Sequence, residues 1–461
     1  MKSNFVLLVI LLSVCHFAEA ADERYQVMAK GLLSELVAID TTESTGDATA
    51  AANLLADRLL AAGLPKEDVH VIESAPKKGN LVARLRARNP QKPPILLLAH
   101  MDVVNAHPDD WTYPPFEMTE IDGIWYGRGV TDDKDEVAIH AVNLIRWKEE
   151  NVNFNRDIII ALTADEEGGP DNGVQYLLAH HRELVDAAFA INEGGGGVME
   201  DGERQVNGVQ AAEKVYQSFT LEVKNPGGHS SRPRKDNAIY QLARALIAIE
   251  ALEFPVEMNE VTRSMLTQMK TSLSPDRAAA IDAVMLSPSD AEAVELLATD
   301  TSINSLLRTT CVATELAGGH AENALPQTAR ATVNCRMMPG RTMTEIRGAL
   351  IKAMADPEVS IAPVKVAMSS PASPLTEEVM DPIYRVTQDM WPGVTVVPAM
   401  STGATDGLFF RQAGIPVYGT SGIFTERSGS GAHGQNERIH AQCFYDGLEY
   451  LNRLVREFAT N

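Results

Sequence analysis

Five short segments place histidine or carboxylate side chains beside glycines or just after apolar runs. They are Ala99–Asp102 (AHMD), Tyr126–Lys134 (YGRGVTDDK), Thr163–Gly169 (TADEEGG), Ile191–Gly194 (INEG) and Gly431–Glu437 (GAHGQNE). Four of them follow a predicted or plausible strand, and ligands bind at that edge of an α/β sheet. Imidazole and carboxylate oxygen are the mixed ligands that suit zinc, and cobalt or manganese accepts the same donors. Together the segments predict a metal centre.

The acidic pairs carry the most specific chemistry. Glu166 and Glu167 directly follow a short apolar strand, which is costly unless positive charge lies beside them. One of them can ligate a metal while its neighbour acts as a general base on water. Asp132 or Asp133 can bridge two metals with both carboxylate oxygens, and the glycines before them let the backbone approach an ion closely. A solvated acidic loop is the alternative for this second pair.

Two histidines, His100 and His229, lie in segments that indicate a chemical role less strongly. His100 is followed by Asp102, which can accept the second ring N–H of a metal-binding imidazole. His229 follows Pro226-Gly227-Gly228, where a turn histidine without chemical function is equally compatible with the spacing.

Strands alternate with helices in the first half of the chain, which indicates an α/β sheet sandwiched by helices. The apolar spacing predicts helices over Tyr25–Ile39, Thr49–Ala62, Glu136–Lys148 and Val174–Leu184, and strands over Ile95–Ala99, Ile158–Thr163 and Ala187–Ile191.

The middle of the chain has a different pattern. It predicts strands over Val215–Val223, Leu306–Leu316 and Gln327–Met337, helices over Ala238–Leu252 and Thr344–Ala355, and a mostly helical insertion over residues 254–305. The α/β pattern then resumes and ends in a helix over Phe444–Phe458. We therefore predict a catalytic domain over 21–211 and 366–461, with an inserted α+β lid or dimerisation domain over 212–365.

The N-terminus has the pattern of a signal peptide over residues 1–20. Lys2 precedes an apolar run over residues 5–15, and Ala18-Glu19-Ala20 resembles a cleavage site. The prediction is export to the periplasm or the exterior, with an uncleaved anchor as the alternative. No later segment is long and apolar enough to predict a membrane span.

The net charge of the chain argues against one class of partner. The 461 residues include 40 Lys and Arg against 62 Asp and Glu, a formal charge of −22. This charge argues against nucleic acid, because phosphate binding needs clustered cations.

Cys311, Cys335 and Cys443 match no metal or redox motif. A bridge between Cys311 and Cys335 and three buried thiols are both compatible with the sequence.

The ordered segments resemble the di-zinc exopeptidase and aminoacylase family, which includes carboxypeptidase S, aminoacylase, glutamate carboxypeptidase, acetylornithine deacetylase and succinyl-diaminopimelate desuccinylase. The resemblance runs from about residue 25 to the C-terminus, through HMD, GRGVTDDK, DEEGG, NEGG, GGHSSRP, NALPQTARATVNCRMMPG, GATDG and HGQNERI. The stretch from Leu307 to Gly340 and the helical insertion before it favour the carboxypeptidase S and fatty-acyl amino acid hydrolase branch.

The resemblance implies a role for each motif residue. One zinc is held by His100, Asp132 and Glu193, and the other by Asp132, Glu167 and His433. Asp102 orients His100, and a cis peptide joins Asp132 to Asp133. Glu166 is the general base, and His229 stabilises the oxyanion, often from a neighbouring subunit. Asn323 and Arg336 contact the substrate carboxylate or the oxyanion side, and the loop containing Gly403 and Thr405 lines the substrate pocket.

The implied activity is hydrolysis of the amide bond to an amino acid with a free carboxylate, by a metal-bridging water, in a peptide or an N-acyl amino acid. Carboxypeptidase, dipeptidase and N-acyl amino acid hydrolase remain alternatives, because they share this machinery and differ in the pocket. A non-catalytic binding protein on the same fold would be expected to lack the base or the ligands.

Overall fold

The computed structural model describes residues 23–270, 273–367 and 369–460, so the predicted signal peptide lies outside the described residues. The chain divides into two compact units. The first contains the residues up to Val209, Thr376–Val396 and the residues from Ala413. The second contains Gln210–Leu375 and Val397–Gln412. The lid or dimerisation role of the inserted region stays a prediction.

The strands in chain order are β1 (Val69–Glu73), β2 (Gly79–Leu85), β3 (Ile95–His100), β4 (Thr119–Ile121), β5 (Ile124–Tyr126), β6 (Ile158–Thr163), β7 (Phe189–Asn192), β8 (Gly197–Glu200), β9 (Glu203–Glu213), β10 (Val215–Lys224), β11 (Gly228–His229), β12 (Thr310–Gly318), β13 (Ala324–Leu325), β14 (Thr328–Met337), β15 (Ser360–Pro363), β16 (Thr395–Ser401), β17 (Val417–Gly419), β18 (Phe424–Glu426) and β19 (Arg438–His440).

The helices are α1 (residues 23–38), α2 (Ala48–Ala61), α3 (Lys134–Glu149), α4 (Gly173–His180), α5 (Arg182–Val185), α6 (Ala238–Glu250), α7 (Glu260–Met269), α8 (Pro275–Leu286), α9 (Ala291–Ala298), α10 (Thr301–Leu307), α11 (Met343–Met354), α12 (Glu377–Met390), α13 (Gly407–Gln412) and α14 (Ala441–Thr460). Among the described residues, none of the helices is long and apolar enough to span a bilayer.

A ten-stranded mixed sheet has the order β1-β2-β6-β3-β7-β17-β9-β8-β18, and β16 also pairs with β9. Its centre is parallel, since β3 pairs in parallel with β6 and β7, and β17 with β7. Every residue of β3 and β6 is buried, as expected for parallel strands covered by helices on both faces. The predicted α/β class is confirmed. The parallel register brings the carboxyl ends of β6, β3 and β7 to one edge.

The second unit contains a four-stranded antiparallel sheet in the order β12-β14-β10-β15. α6 and α11 pack with it around a core that includes Phe219, Leu242, Val333 and Leu350. α7 to α10 form a separate small core around Leu266, Ile281, Leu297 and Leu307, so this segment is mostly helical, as predicted.

Two predicted element boundaries were wrong. The strand predicted over Leu306–Leu316 begins only at Thr310, because Leu306 and Leu307 are buried at the end of α10. The helix predicted over Val174–Leu184 is interrupted at His181, whose φ of −141° and ψ of 35° are not helical.

The structure resolves the cysteine alternatives. Cys311 on β12 lies directly opposite Cys335 on β14, and the two sulfurs are bonded. Cys443 on α14 is free and buried.

Candidate metal centre

The first ligand group is assembled at the end of β3. His100 is the last residue of this strand and its ring is buried. Its Nε2 lies 3.2 Å from Asp132 Oδ1 and 3.8 Å from Glu193 Oε1. Because β7 runs parallel to β3, Glu193, which follows β7, reaches the same edge. The structure therefore brings together the three residues that the resemblance assigns to one metal.

The second group shares Asp132 with the first. His433 Nε2 lies 3.1 Å from Asp132 Oδ2 and 3.0 Å from Glu167 Oε2. Asp132 thus directs one oxygen to each imidazole. Ligand atoms of His100, Asp132 and Glu167 lie within 4.8 Å of one another, as do those of His100, Glu166 and Glu193.

Asp133 follows Asp132 through a cis peptide bond, as the resemblance implied. Its Oδ2 accepts a hydrogen bond from the backbone N–H of His100 at 3.1 Å. Asp133 therefore links the loop before α3 to the end of β3.

Asp102 contacts His100 through its backbone. His100 Nδ1 lies 3.0 Å from the Asp102 carbonyl oxygen and 3.7 Å from Asp102 Oδ1. The two carboxylate oxygens accept hydrogen bonds from the backbone N–H groups of Glu166, at 3.1 Å, and Glu167, at 3.0 Å. Asp102 therefore positions the loop that carries both glutamates as well as the imidazole ring.

The electrostatics of the group favour positive charge between the carboxylates. The hydrogen bond to Asp132 raises the pKa of His433 to about 9, although partial burial opposes this shift. Burial, together with the charge of Asp132, raises the pKa of Glu167 to about 7. Burial also opposes ionisation of Asp132, but hydrogen bonds from His100 and His433 hold the pKa of that carboxyl below its ordinary range.

This donor set fits two divalent cations. Glu167 Oε1 is buried and has no hydrogen-bond partner among the described residues, and a buried carboxylate oxygen is costly without a cation or a donor. Two imidazoles and several carboxylates around one shared aspartate are the nitrogen and oxygen ligands expected of a zinc-like centre.

Sequence reasoning missed a buried ion pair between Arg128 and Glu437, here called the clamp. Glu437 is fully buried, and it accepts hydrogen bonds from Arg128 Nη1 at 2.6 Å, Gly129 N at 3.0 Å, Thr131 N at 2.9 Å and Thr131 Oγ1 at 3.1 Å. Arg128 also donates to the carbonyl of Gly434 at 2.8 Å. The clamp joins the loop before Asp132 to the loop after His433. Both partners lie in conspicuous motifs, but their pairing across the chain cannot be read from local sequence.

Glu437→Gln is expected to lower the free energy of unfolding by about 3–5 kcal/mol, because it leaves the buried Arg128 without its countercharge. Urea-induced unfolding measures the change. Glu203→Gln, at an exposed position, is the matched control and should shift stability by less than about 0.5 kcal/mol. Equal effects of the two substitutions would contradict a stabilising role for the clamp.

A second ion pair holds the start of the glutamate loop. Asp165 has a φ of 67°, in the left-handed region. Its carboxylate accepts hydrogen bonds from Lys78 Nζ and from the backbone N–H of Asp171. These contacts hold the turn directly before Glu166, and sequence reasoning missed them as well.

The predicted residues of the second unit fall into two clusters. His229 on β11 is paired with Ala324 on β13, and Ser230 N donates to the Asn323 carbonyl at 3.1 Å, so His229 and Asn323 are neighbours. The side chain of His229 is exposed, and its Nδ1 lies 2.8 Å from Ser231 Oγ.

The other cluster surrounds the loop that contains Gly403 and Thr405. Arg336 Nη1 donates to the Thr402 carbonyl at 3.0 Å, and its guanidinium lies 4.6 Å from the centre of the Tyr216 ring. The buried carboxylate of Glu213 accepts hydrogen bonds from Thr405 N at 2.8 Å and Thr405 Oγ1 at 2.9 Å. Glu213 thus anchors the predicted pocket loop.

Comparison with known proteins agrees with this geometry. The model of Peptidase family M20/M25/M40 matches residues 96–457. The chain belongs to this family, and it is therefore a hydrolase of the metallopeptidase class.

Two relatives indicate to which branch of the family the chain is most similar. The chain is 27% identical over 389 residues to N-fatty-acyl-amino acid synthase/hydrolase PM20D1 of Homo sapiens, covering 82% of this chain and 76% of the relative. It is 30% identical over 273 residues to carboxypeptidase S of Saccharomyces cerevisiae, covering 56% of this chain and 47% of the relative. The resemblance to the carboxypeptidase S and fatty-acyl amino acid hydrolase branch is confirmed.

Solved structures share the fold. The M20 family metallo-carboxypeptidase Sso-CP2 from Sulfolobus solfataricus superposes with a TM-score of 0.68 at 20% identity, covering 93% of this chain and 99% of that one. A Bacillus subtilis protein described as a dinuclear metal binding peptidase of the M20 family has a TM-score of 0.57 at 11% identity, covering 95% and 98%.

Proposed function

We propose that this chain is an exported zinc metallopeptidase of the carboxypeptidase type, which hydrolyses the amide bond to an amino acid with a free carboxylate. The observation that carries the proposal is the position of Asp132, whose two oxygens lie 3.2 and 3.1 Å from the imidazoles of His100 and His433. A carboxylate shared in this way is suited to bridging two zinc ions, and cobalt or manganese is compatible with the same ligands.

In the proposed site, His100, Asp132 and Glu193 would hold one zinc, and Asp132, Glu167 and His433 would hold the other. When bound, the cations polarise the scissile carbonyl and make water more acidic. Glu166 accepts the proton of the attacking water on its carboxylate and passes it to the leaving amine. Its position depends on the hydrogen bond from its backbone N–H to Asp102.

The second unit supplies the proposed substrate contacts. His229 stabilises the developing oxyanion. Arg336 and Asn323 contact the substrate carboxylate or the oxyanion side, and a guanidinium suits the carboxylate because it can hold it with two parallel hydrogen bonds. Gly403 and Thr405 line the substrate pocket, in a loop that Glu213 anchors.

An N-acyl amino acid hydrolase is the second candidate, because the human relative at 27% identity is named an N-fatty-acyl-amino acid synthase/hydrolase. A dipeptidase is a further candidate, which would use the same residues with a different substrate pocket. A non-catalytic binding protein is disfavoured, since Glu166 and all five ligands are present.

A substrate panel tests the proposal and separates the candidates. It contains N-acyl amino acids of increasing chain length, dipeptides, longer peptides and the same peptides with an amidated C-terminus. A carboxypeptidase cuts the free-acid peptides at the C-terminal residue and spares the amidated ones. Equal cleavage of amidated and free substrates would remove the role of Arg336, and no cleavage of any member in zinc-loaded protein would refute the function.

Export to the periplasm or the exterior, after cleavage near Ala20, completes the proposal. The Cys311–Cys335 bridge supports it, because disulfides persist in oxidising compartments.

We also propose a homodimer formed through the inserted domain. β12 is an edge strand, and most of its residues are exposed. Val312 and Leu316 on this strand are 60% and 71% exposed, and Tyr240 and Ile247 on the neighbouring α6 are 62% and 63% exposed. An open apolar edge strand readily pairs with another chain, and a second copy can do so antiparallel about a two-fold axis.

If His229 acts across this dimer, mixing Glu166→Ala chains with His229→Ala chains should restore activity. Each mixed dimer would then contain one site with both residues intact, up to about one quarter of the wild-type sites after random exchange. Activity is measured after subunit exchange, which is monitored with differently labelled chains. Exchanged dimers without recovered activity would show that His229 acts within its own chain or has no catalytic role.

A further inference from the structure

A groove of about 330 Å³ lies in the second unit, between the loop that follows α6 and the start of α9. Its walls are mostly apolar, and one cation lies among them. The lining includes Phe254, Pro255, Val256, Pro288, Val294 and Arg308. None of these residues has a part in the proposed hydrolysis.

Arg308 is the unusual member of this lining. The residue is only 5% exposed. Its Nη1 contacts Glu253 Oε2 at 3.0 Å, but Nε and Nη2 are buried without a hydrogen-bond partner among the described residues. Nε–H and Nη2–H form one side of the guanidinium fork, the geometry that binds a carboxylate with two parallel hydrogen bonds. Leaving both donors buried and unpaired is costly, and a bound acceptor would remove this cost.

Glu253 shows that a carboxylate reaches this guanidinium. The Glu253 side chain is 79% exposed and is held to Arg308 by a single contact. Because it is tethered to the chain, it satisfies one donor and leaves Nε–H and Nη2–H without an acceptor among the described residues. An untethered carboxylate that displaces Glu253 can reach Nε–H and Nη2–H only if the Arg308 side chain turns, since both nitrogens are buried.

We infer that this groove binds a monocarboxylate with an apolar chain, with the carboxylate on Arg308 and the chain along Phe254, Val256 and Val294. Charge complementarity selects the carboxylate, and the apolar walls select a hydrocarbon chain over a small inorganic anion. A free fatty acid and an N-acyl amino acid share this chemistry. The inference does not depend on the proposed hydrolytic function.

Isothermal titration of the full chain with decanoate tests the site. Wild-type protein is expected to bind decanoate, to bind decanol at least tenfold more weakly, and not to bind acetate at the same concentration. Glu253→Ala should tighten decanoate binding several-fold, because it removes the competing carboxylate. Val294→Trp should weaken it at least tenfold by filling the groove. Titration of the Glu166→Gln variant with N-decanoylglycine and with decanoate distinguishes the acylated amino acid from the free acid as the preferred ligand, because this variant is not expected to hydrolyse N-decanoylglycine.

Arg308→Met should abolish the same signal, and Arg277→Met is its matched control, because Arg277 forms an ion pair with Asp300 in the same helical insertion. Val294→Trp and Glu253→Ala keep the test decisive if Arg308→Met does not fold. Decanoate binding that neither of these two variants changes would overturn the inference, as would equal binding of decanol. Equilibrium binding needs no turnover, so this outcome is separate from that of the substrate panel.

Discussion

Glu166→Gln is expected to lower kcat by about two to four orders of magnitude, the usual contribution of a general base, while the bound metal stays unchanged. Glutamine has nearly the same shape as glutamate but cannot accept the proton of the attacking water. The backbone N–H of residue 166 still donates to Asp102 in this variant, so the loop keeps its position. The proposed ligand sets also do not include the Glu166 side chain.

Two measurements are needed for this variant, turnover on the best substrate of the panel and metal content per chain by atomic emission. Glu183→Gln removes the same charge at an exposed position in the first unit and should leave both values unchanged. Wild-type turnover in Glu166→Gln would exclude Glu166 as the base. Loss of metal together with activity would instead make Glu166 a ligand.

Asp132→Asn is expected to have a broader effect than Glu166→Gln, because it removes metal and activity together. Each carboxylate oxygen of Asp132 faces a different imidazole. An amide presents one oxygen and one NH₂ group, so at least one ligand group would contain a donor hydrogen where a cation needs an electron pair. The substitution also removes a negative charge that both groups share. We expect activity below about one thousandth of wild type, in line with the loss of an essential catalytic group.

Metal content after dialysis and the change of melting temperature on adding zinc measure this effect. A ligand present at 100 times its Kd stabilises a protein by about 2.7 kcal/mol, so the wild-type melting temperature should rise with zinc and that of the variant should not. Asp109→Asn, at an exposed position, is the charge-matched control. Two metals per chain in Asp132→Asn would refute the shared ligand.

Three members of the proposed ligand set, His100, Glu167 and Glu193, were predicted from a local pattern in the sequence. Ile95–Ala99 is a run of five apolar residues ending at His100, and such a run predicts a buried strand whose end lies at the ligand edge. The same reasoning applies to Glu167 after β6 and Glu193 after β7. In each case the proposed ligand lies at the end of the strand or in the loop that directly follows it.

The supporting contacts were not predictable in this way. Glu437 and Arg128 are separated by 309 positions. The local sequence around either residue does not identify the other as its partner. Asp102 also differed from expectation, since its carboxylate binds two backbone N–H groups of the glutamate loop. Backbone donors cannot be identified from residue types, because every residue except proline has an N–H group. The apolar pattern also did not mark the interruption at His181 or the end of α10 at Leu307.

The span of the ligand set, from His100 to His433, constrains the order of events during folding. Bringing these residues together requires contacts across most of the chain, and such contacts form late because closing long loops costs entropy. Before they form, the newly made polypeptide offers a divalent ion the proposed ligands only in separate segments, such as the adjacent pairs Asp132-Asp133 and Glu166-Glu167. Uptake of two cations by the proposed ligand set therefore requires the folded protein.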